Sequence, residues 1–165
     1  LPLRSAEEPF RSAALQYGLS GADRRPFMRI MGIDFGDSRI GIAVSDPLGW
    51  TAQGLDTIVR KGPVEKAAEE IRQLAEQYEV GKIVIGLPRN MNGTIGPSAG
   101  KAIEFGELLA RVTGLEVVKW DERLTTVAAN RVMHEVGMKT SKKKKSVDKI
   151  AAVFILQGYL DSMRK

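Results

Sequence analysis

The stretch Lys82–Leu87, KIVIGL, constrains this chain more than any other. After Lys82 it has no polar side chain, and Pro88 stops it. An apolar run of strand length without alternation is what a strand buried on both faces requires. Such a strand needs packed layers above and below, so the chain must supply helices to both sides of a sheet. Upstream, Val64, Ala67, Ala68, Ile71, Leu74, Ala75 and Tyr78 recur at helical spacing, predicting a helix from Pro63 to Tyr78. Pro63 suits its first position. Downstream, Ala99, Ala102, Ile103, Phe105, Gly106 and Leu109 repeat the period, and Gly114 follows as a stop.

Shorter runs complete the sheet. Arg29–Phe35 (RIMGIDF) and Ile40–Ser45 (IGIAVS) are joined by a few polar residues, which predicts an antiparallel hairpin. Asp46-Pro47-Leu48-Gly49 forms a turn after the second. A third strand is expected within Trp50–Val59, and another over Glu116–Trp120. A helix is expected from Thr125 to Val136, closed by Gly137, then a lysine loop, then a last helix from Ser146 to Met163. Three strands followed by βα units predict an α/β fold, a mixed sheet with helices on both faces.

The 165 residues suffice for one domain, expected over 28–165. Residues 1–27 mix Arg4, Glu7, Glu8, Arg11, Asp23, Arg24 and Arg25 with small residues and hold no lasting period. They read as an N-terminal extension, a flexible arm, an added leader or a processed remnant. Glu7, Glu8 and Arg11 interrupt any secretory apolar core.

Composition removes several chemistries. The absence of cysteine excludes disulfides and thiolate metal sites, and a single histidine, His134, excludes a two-histidine zinc site. No apolar run approaches the roughly 20 residues of a membrane span. Gly96 to Gly100 is one residue too short for a P-loop, and Ala102 follows Lys101. The formal net charge is +5, which favours anionic partners, nucleic acid first.

Three acidic positions stand out. Asp34 ends the first strand, where open α/β sheets place their ligands. Asp121 and Glu122 end the fifth strand, and Asp148 lies at the start of the last helix. Converging carboxylates repel unless a cation neutralises them. Oxygen-only ligation selects Mg²⁺ or Mn²⁺, and two such ions about 4 Å apart would clamp the attacking and leaving oxygens of a phosphodiester. Each acid also has a plainer role. Asp34 can shape a turn, Asp148 can complement the helix dipole with Ser146 as cap, and Asp121 and Glu122 can pair with Arg123 or Lys119. Alternation leaves the choice between Asp121 and Glu122 open.

MGIDFGDSRIGIAVSDP, IVIGLPRNMNG, WDERLTT and KSVDKIAAVFILQGYL together resemble the YqgF/RuvX family of the RNase H-like superfamily, alongside the RuvC-type resolvases. The likeness covers Met28 to Met163. It implies an RNase H-like fold with a five-stranded mixed sheet, its first three strands antiparallel. It implies a cytoplasmic nuclease that matures the 5′ end of pre-16S rRNA. Asp34, Glu122 and Asp148 fall on the family's catalytic, metal-holding positions, with Asp121 as rival to Glu122.

Lys142, Lys143, Lys144 and Lys145 precede Asp148 and would bring phosphates to it; Arg39 and Arg123 are candidates for direct phosphate contact. The expected partners are structured RNA, namely precursor rRNA, or branched DNA, and the small ribosomal subunit. No membrane partner is expected, and the chain is expected as a monomer or weak homodimer. Rival functions are a Holliday junction resolvase, a non-catalytic RNA-binding ribosome-assembly factor and, last, a hexokinase-like phosphotransferase.

Overall fold

The computed structural model describes residues 28–88, 92–121 and 140–164, with residues 140–148 described by backbone alone. The extension 1–27, Arg89 to Met91 of the Gly/Asn loop and the expected helix Thr125–Val136 lie outside the described residues.

The strands are β1 (Arg29–Phe35), β2 (Arg39–Ser45), β3 (Ala52–Gly54), β4 (Ile58–Val59), β5 (Val80–Leu87) and β6 (Glu116–Asp121). The helices are α1 (Val64–Gln77), α2 (Pro97–Thr113) and α3 (Thr140–Met163). The sheet runs β3-β2-β1-β5-β6, with β4 also paired to β2. β1 is antiparallel to β2, and β5 and β6 lie parallel to β1. Gly81 is passed over where β1 pairs β5, since Arg29 matches Val80 and Ile30 matches Lys82.

The mixed α/β sheet is thus as expected, with three differences. The third strand of the expected five is divided in two, β3 and β4, both antiparallel to β2. Gly54 and Asp56 interrupt its pattern, and Gly54 lies beneath the Lys149 side chain, whose Cγ would be 2.6 Å from any added Cβ. Pro63 precedes the first turn of α1 as its cap. The last helix starts at Thr140, not near Ser146. The lysine run is therefore helical and not a loop. Lysine is a good helix former, and its like-charge repulsion costs only a few tenths of a kcal/mol per neighbouring pair.

β1 serves two cores. Met31 and Ile33 join Ile40, Ile42, Ile83 and Ile85 beneath Ala68 and Ile71 of α1 and Phe105 and Leu109 of α2. On the other face Ile30 joins Ala43, Ala152, Leu156 and Leu160 beneath α3. β5 is buried from Ile83 to Leu87, as its unbroken apolar run predicts. Each fully buried aliphatic side chain contributes about 1.5–3 kcal/mol. α2 ends where Gly114 turns left-handed, at φ 70°. Among the described residues no helix is long and apolar enough to cross a membrane.

Candidate active site at the sheet edge

The three parallel strands β1, β5 and β6 end at one edge. Ile33 pairs with Ile85, Gly86 with Trp120, and Leu87 with Asp121. Asp34 stands at this edge, paired across to Gly41 of β2 and partly buried. Strand alternation fixes its direction. Ile33 and Phe35 face α1 and α2, whereas Gly32 faces α3, so Asp34 shares the face covered by α3.

Gly32 explains why α3 comes so near. A Cβ at Gly32 would lie 2.7 Å from Leu156 Cβ and 3.0 Å from the Ala152 carbonyl oxygen. Only a residue without a side chain lets the helix rest on the strand backbone. Ala152, Leu156 and Leu160 are spaced by one turn and form the buried row of α3. Asp148 is the next position up that row, more than two turns inside α3. Helix-dipole capping cannot explain an acid there, because that effect fades beyond the first turn.

Arg39 begins β2. Ile40 and Ile42 belong to the α1/α2 core and Ala43 to the α3 core, so Arg39 lies on the Asp34 face. Its carbonyl accepts a 2.9 Å hydrogen bond from Gly36 N–H, which closes the β1–β2 turn.

The alternation of β6 gives the face of Asp121, one of the two rival acids. Val117 packs in the α1/α2 core, while the Trp120 ring lies against Gly158 and meets Tyr159 edge to face at 5.9 Å. Asp121 is thereby assigned to the face opposite Asp34. Glu122 and Arg123 lie outside the described residues, as do the side chains of Lys142, Lys143, Lys144, Lys145 and Asp148. Among the described residues no three His, Cys, Asp or Glu side chains gather as a metal-binding group. Asp34 is a carboxylate at a strand end, a hard oxygen donor of the type that Mg²⁺ and Mn²⁺ prefer.

Sequence reasoning missed Arg60. Its Nη1 donates to the carbonyls of Gly36 at 3.0 Å and Asp37 at 2.9 Å. Its guanidinium lies over Phe35, 4.7 Å from the ring centroid. It thus fastens the turn that follows Asp34. Lys82, on the α3 side of β5, donates to the Tyr159 hydroxyl at 3.3 Å and lies 3.7 Å from Glu116. The hydrogen bond to Tyr159, then the charges of Tyr159 and Glu116, raise its pKa against desolvation.

An antiparallel β1–β2–β3 ribbon continued by parallel β5 and β6, with helices on both faces, is the RNase H-like fold. A family described as "RuvX: Holliday junction resolvase" matches residues 28–162, and the chain belongs to that family. It is 60% identical over 139 residues to a protein of Acetivibrio thermocellus named "Putative pre-16S rRNA nuclease", covering 84% of this chain and 99% of that one. A Clostridium botulinum protein of the same name is 56% identical over 138 residues, covering 84% and 100%. The fold is also that of Thermus thermophilus RuvC, solved with a Holliday junction substrate. There the TM-score is 0.56 at 15% identity, over 83% of this chain and 96% of RuvC.

Proposed function

We propose that this protein is a metal-dependent phosphodiester hydrolase that processes the 5′ end of pre-16S rRNA in the cytoplasm, with residues 28–165 as the nuclease domain and 1–27 as an extension. The names of its relatives support the nuclease class and the substrate. The observation that carries the site is the seating of α3 on Gly32. It supports the reading because Ala152 and Leu156, which follow position 148 at one-turn spacing, pack on the face that Asp34 shares.

Asp34, Glu122 and Asp148 would hold Mg²⁺ or Mn²⁺, as two ions. Bound there, they supply Lewis-acid stabilisation of the nucleophile and of the leaving oxygen. Glu122 is preferred to Asp121 by the family resemblance, which the place of Asp121 on the face opposite Asp34 supports. The protein's own part is to hold the carboxylates fixed, to bind the scissile strand through Arg39 and Arg123, and to attract it through Lys142–Lys145. Binding through them should weaken steeply with salt. No histidine base is needed. The small ribosomal subunit is the proposed partner, and the acting form a monomer or weak homodimer.

The family description favours a second reading, resolution of branched DNA. Precursor 16S RNA and a four-way DNA junction, incubated side by side with Mg²⁺ and the full chain, separate the two. Cleavage of the RNA is expected, and Asp34→Asn should abolish it while leaving RNA binding in EDTA intact. Cleavage of the junction alone would replace the RNA reading. Full cleavage by Asp34→Asn would remove the metal site. Retention of RNA without Mg²⁺-stimulated cleavage by the wild type would leave a non-catalytic assembly factor.

A further inference from the structure

Lys149 of α3 is exposed, yet its stem has a seat on the sheet. A Cβ built on Gly54 of β3 would lie 2.6 Å from Lys149 Cγ, 3.2 Å from Cδ and 2.8 Å from Cε. Three successive carbons therefore lie along one strand residue. Gly54 does not adopt the left-handed φ for which glycine is often kept. A glycine within a strand weakens it and marks a close approach. Here the approaching group is the lysine stem.

The seat continues a longer contact between α3 and β3. Positions 149, 153 and 157 recur at about one turn. Gln157 accepts from Ala52 N–H at 3.0 Å and donates to the Trp50 carbonyl at 3.1 Å. Val153 and Ala52 both pack against the α3 core. An aliphatic side chain at 149 would cover Gly54 as well; what lysine adds is a charge. Among the described residues no carboxylate pairs with that ammonium, Asp56, two residues past Gly54, included.

Register gives the place of the seat. Gly54 pairs with Ala43, and Ala43 with Gly32, so it lies two strands from Gly32, about 10 Å by strand spacing. Asp34 is two residues further along β1, about 7 Å nearer the edge. Between β1 and β3 at that level stands Gly41, the partner of Asp34, which has no side chain to block passage.

We propose that Lys149 is a substrate-binding residue whose ammonium, carried on Gly54, contacts an RNA backbone phosphate flanking the one at Asp34. The place of that phosphate in the strand rests on the nuclease reading; the contact itself does not. An ammonium suits a phosphate as a compact point charge. Holding the stem in advance removes part of the rotamer freedom that a lysine would otherwise lose on binding.

Binding of precursor 16S RNA to the full chain, in EDTA, tests it. Lys149→Met keeps a stem and removes the charge. It should bind roughly tenfold more weakly, with a salt slope shallower by about 0.7–0.9 for the one phosphate lost and the wild-type urea midpoint. Gly54→Ala displaces a flexible side chain and no backbone, so it should weaken binding without unfolding the protein. In the Lys149→Met background the same glycine change should cost no further affinity. Lys66→Met, exposed on α1, should bind within about twofold of wild type. Unchanged affinity in Lys149→Met or Gly54→Ala, additive losses in the double variant, an equal loss in Lys66→Met, or no RNA binding by the wild type would each overturn the inference. Cleavage assayed in parallel keeps the two readings apart. Binding that depends on Lys149 without cleavage of any substrate sinks the nuclease and leaves the phosphate contact standing. Cleavage with binding indifferent to Lys149 does the reverse.

Discussion

Leu156 of α3 sits directly on Gly32 of β1: a methyl group at Gly32 would be 2.7 Å from Leu156 Cβ. The second close atom, the Ala152 carbonyl oxygen, is backbone, and no rotamer change withdraws either. Gly32→Ala should therefore destabilise the protein by about 1–3 kcal/mol, read as a lower urea midpoint. Cleavage at a temperature where the variant is folded should also fall, because the helix that moves carries position 148. An unchanged midpoint would show that α3 has room to spare.

The two acids at the end of β6 should behave differently. With Asp121 on the face opposite Asp34, Asp121→Asn is expected to keep cleavage within a few-fold of wild type. Glu122→Gln should lose roughly 10²–10³-fold, the usual scale for removing an electrostatic stabiliser of a transition state. Single-turnover cleavage of the same RNA by both variants decides, and the opposite ranking would transfer the role to Asp121.

Arg60 ties down two carbonyls and covers an aromatic ring. Hydrogen bonds from a charged donor are worth about 1.5–3 kcal/mol. Arg60→Met keeps the apolar stem and should lower stability by that order in chemical unfolding. Arg60→Lys should recover only part of the loss, since an ammonium lacks the planar fork. Full recovery would mean that charge alone suffices at this position.

Lys82 links pH to stability. Its hydrogen bond to Tyr159, helped by the charges of Tyr159 and Glu116, raises its folded pKa above the ordinary lysine value, against desolvation. A raised pKa on a basic group means a stabilising contribution fully present below the unfolded value, about 10.4. That contribution disappears as pH climbs through the folded value. Lys82→Met should thus unfold more easily than wild type at neutral pH, with the gap closing in alkali. A gap that stays constant past about pH 11 would show that packing of the stem, not the charge, is responsible.

Much of the fold was legible because its strongest signals are local. The unbroken KIVIGL run, the period of Val64 to Ala75 and the stop at Gly114 each answer to neighbouring residues, and each element stands where expected. The third strand was the weakest pattern and is the one that divides. The lysine run reads as a loop by its charge, but the helix propensity of lysine prevails and α3 begins at Thr140. Of the site, Asp34 was legible as a carboxylate at a strand end. The choice between Asp121 and Glu122 was not, since apolar residues occupy both faces of β6. The face of Asp121 follows through Trp120, whose partners Gly158 and Tyr159 lie far along the chain. Arg60 was invisible for the same reason: its acceptors are backbone carbonyls 23 and 24 residues away. No local motif announces such a contact.

The alternation of β1 makes the length of that strand as consequential as its composition. Ile33→Val would cost only about 0.5–1.5 kcal/mol. Inserting one residue between Gly32 and Asp34, or deleting Ile33, would swing Asp34 into hydrocarbon and Phe35 out to the polar rim, inverting both surfaces at once. A lineage carrying this sheet is free to vary its side chains here but not to count differently.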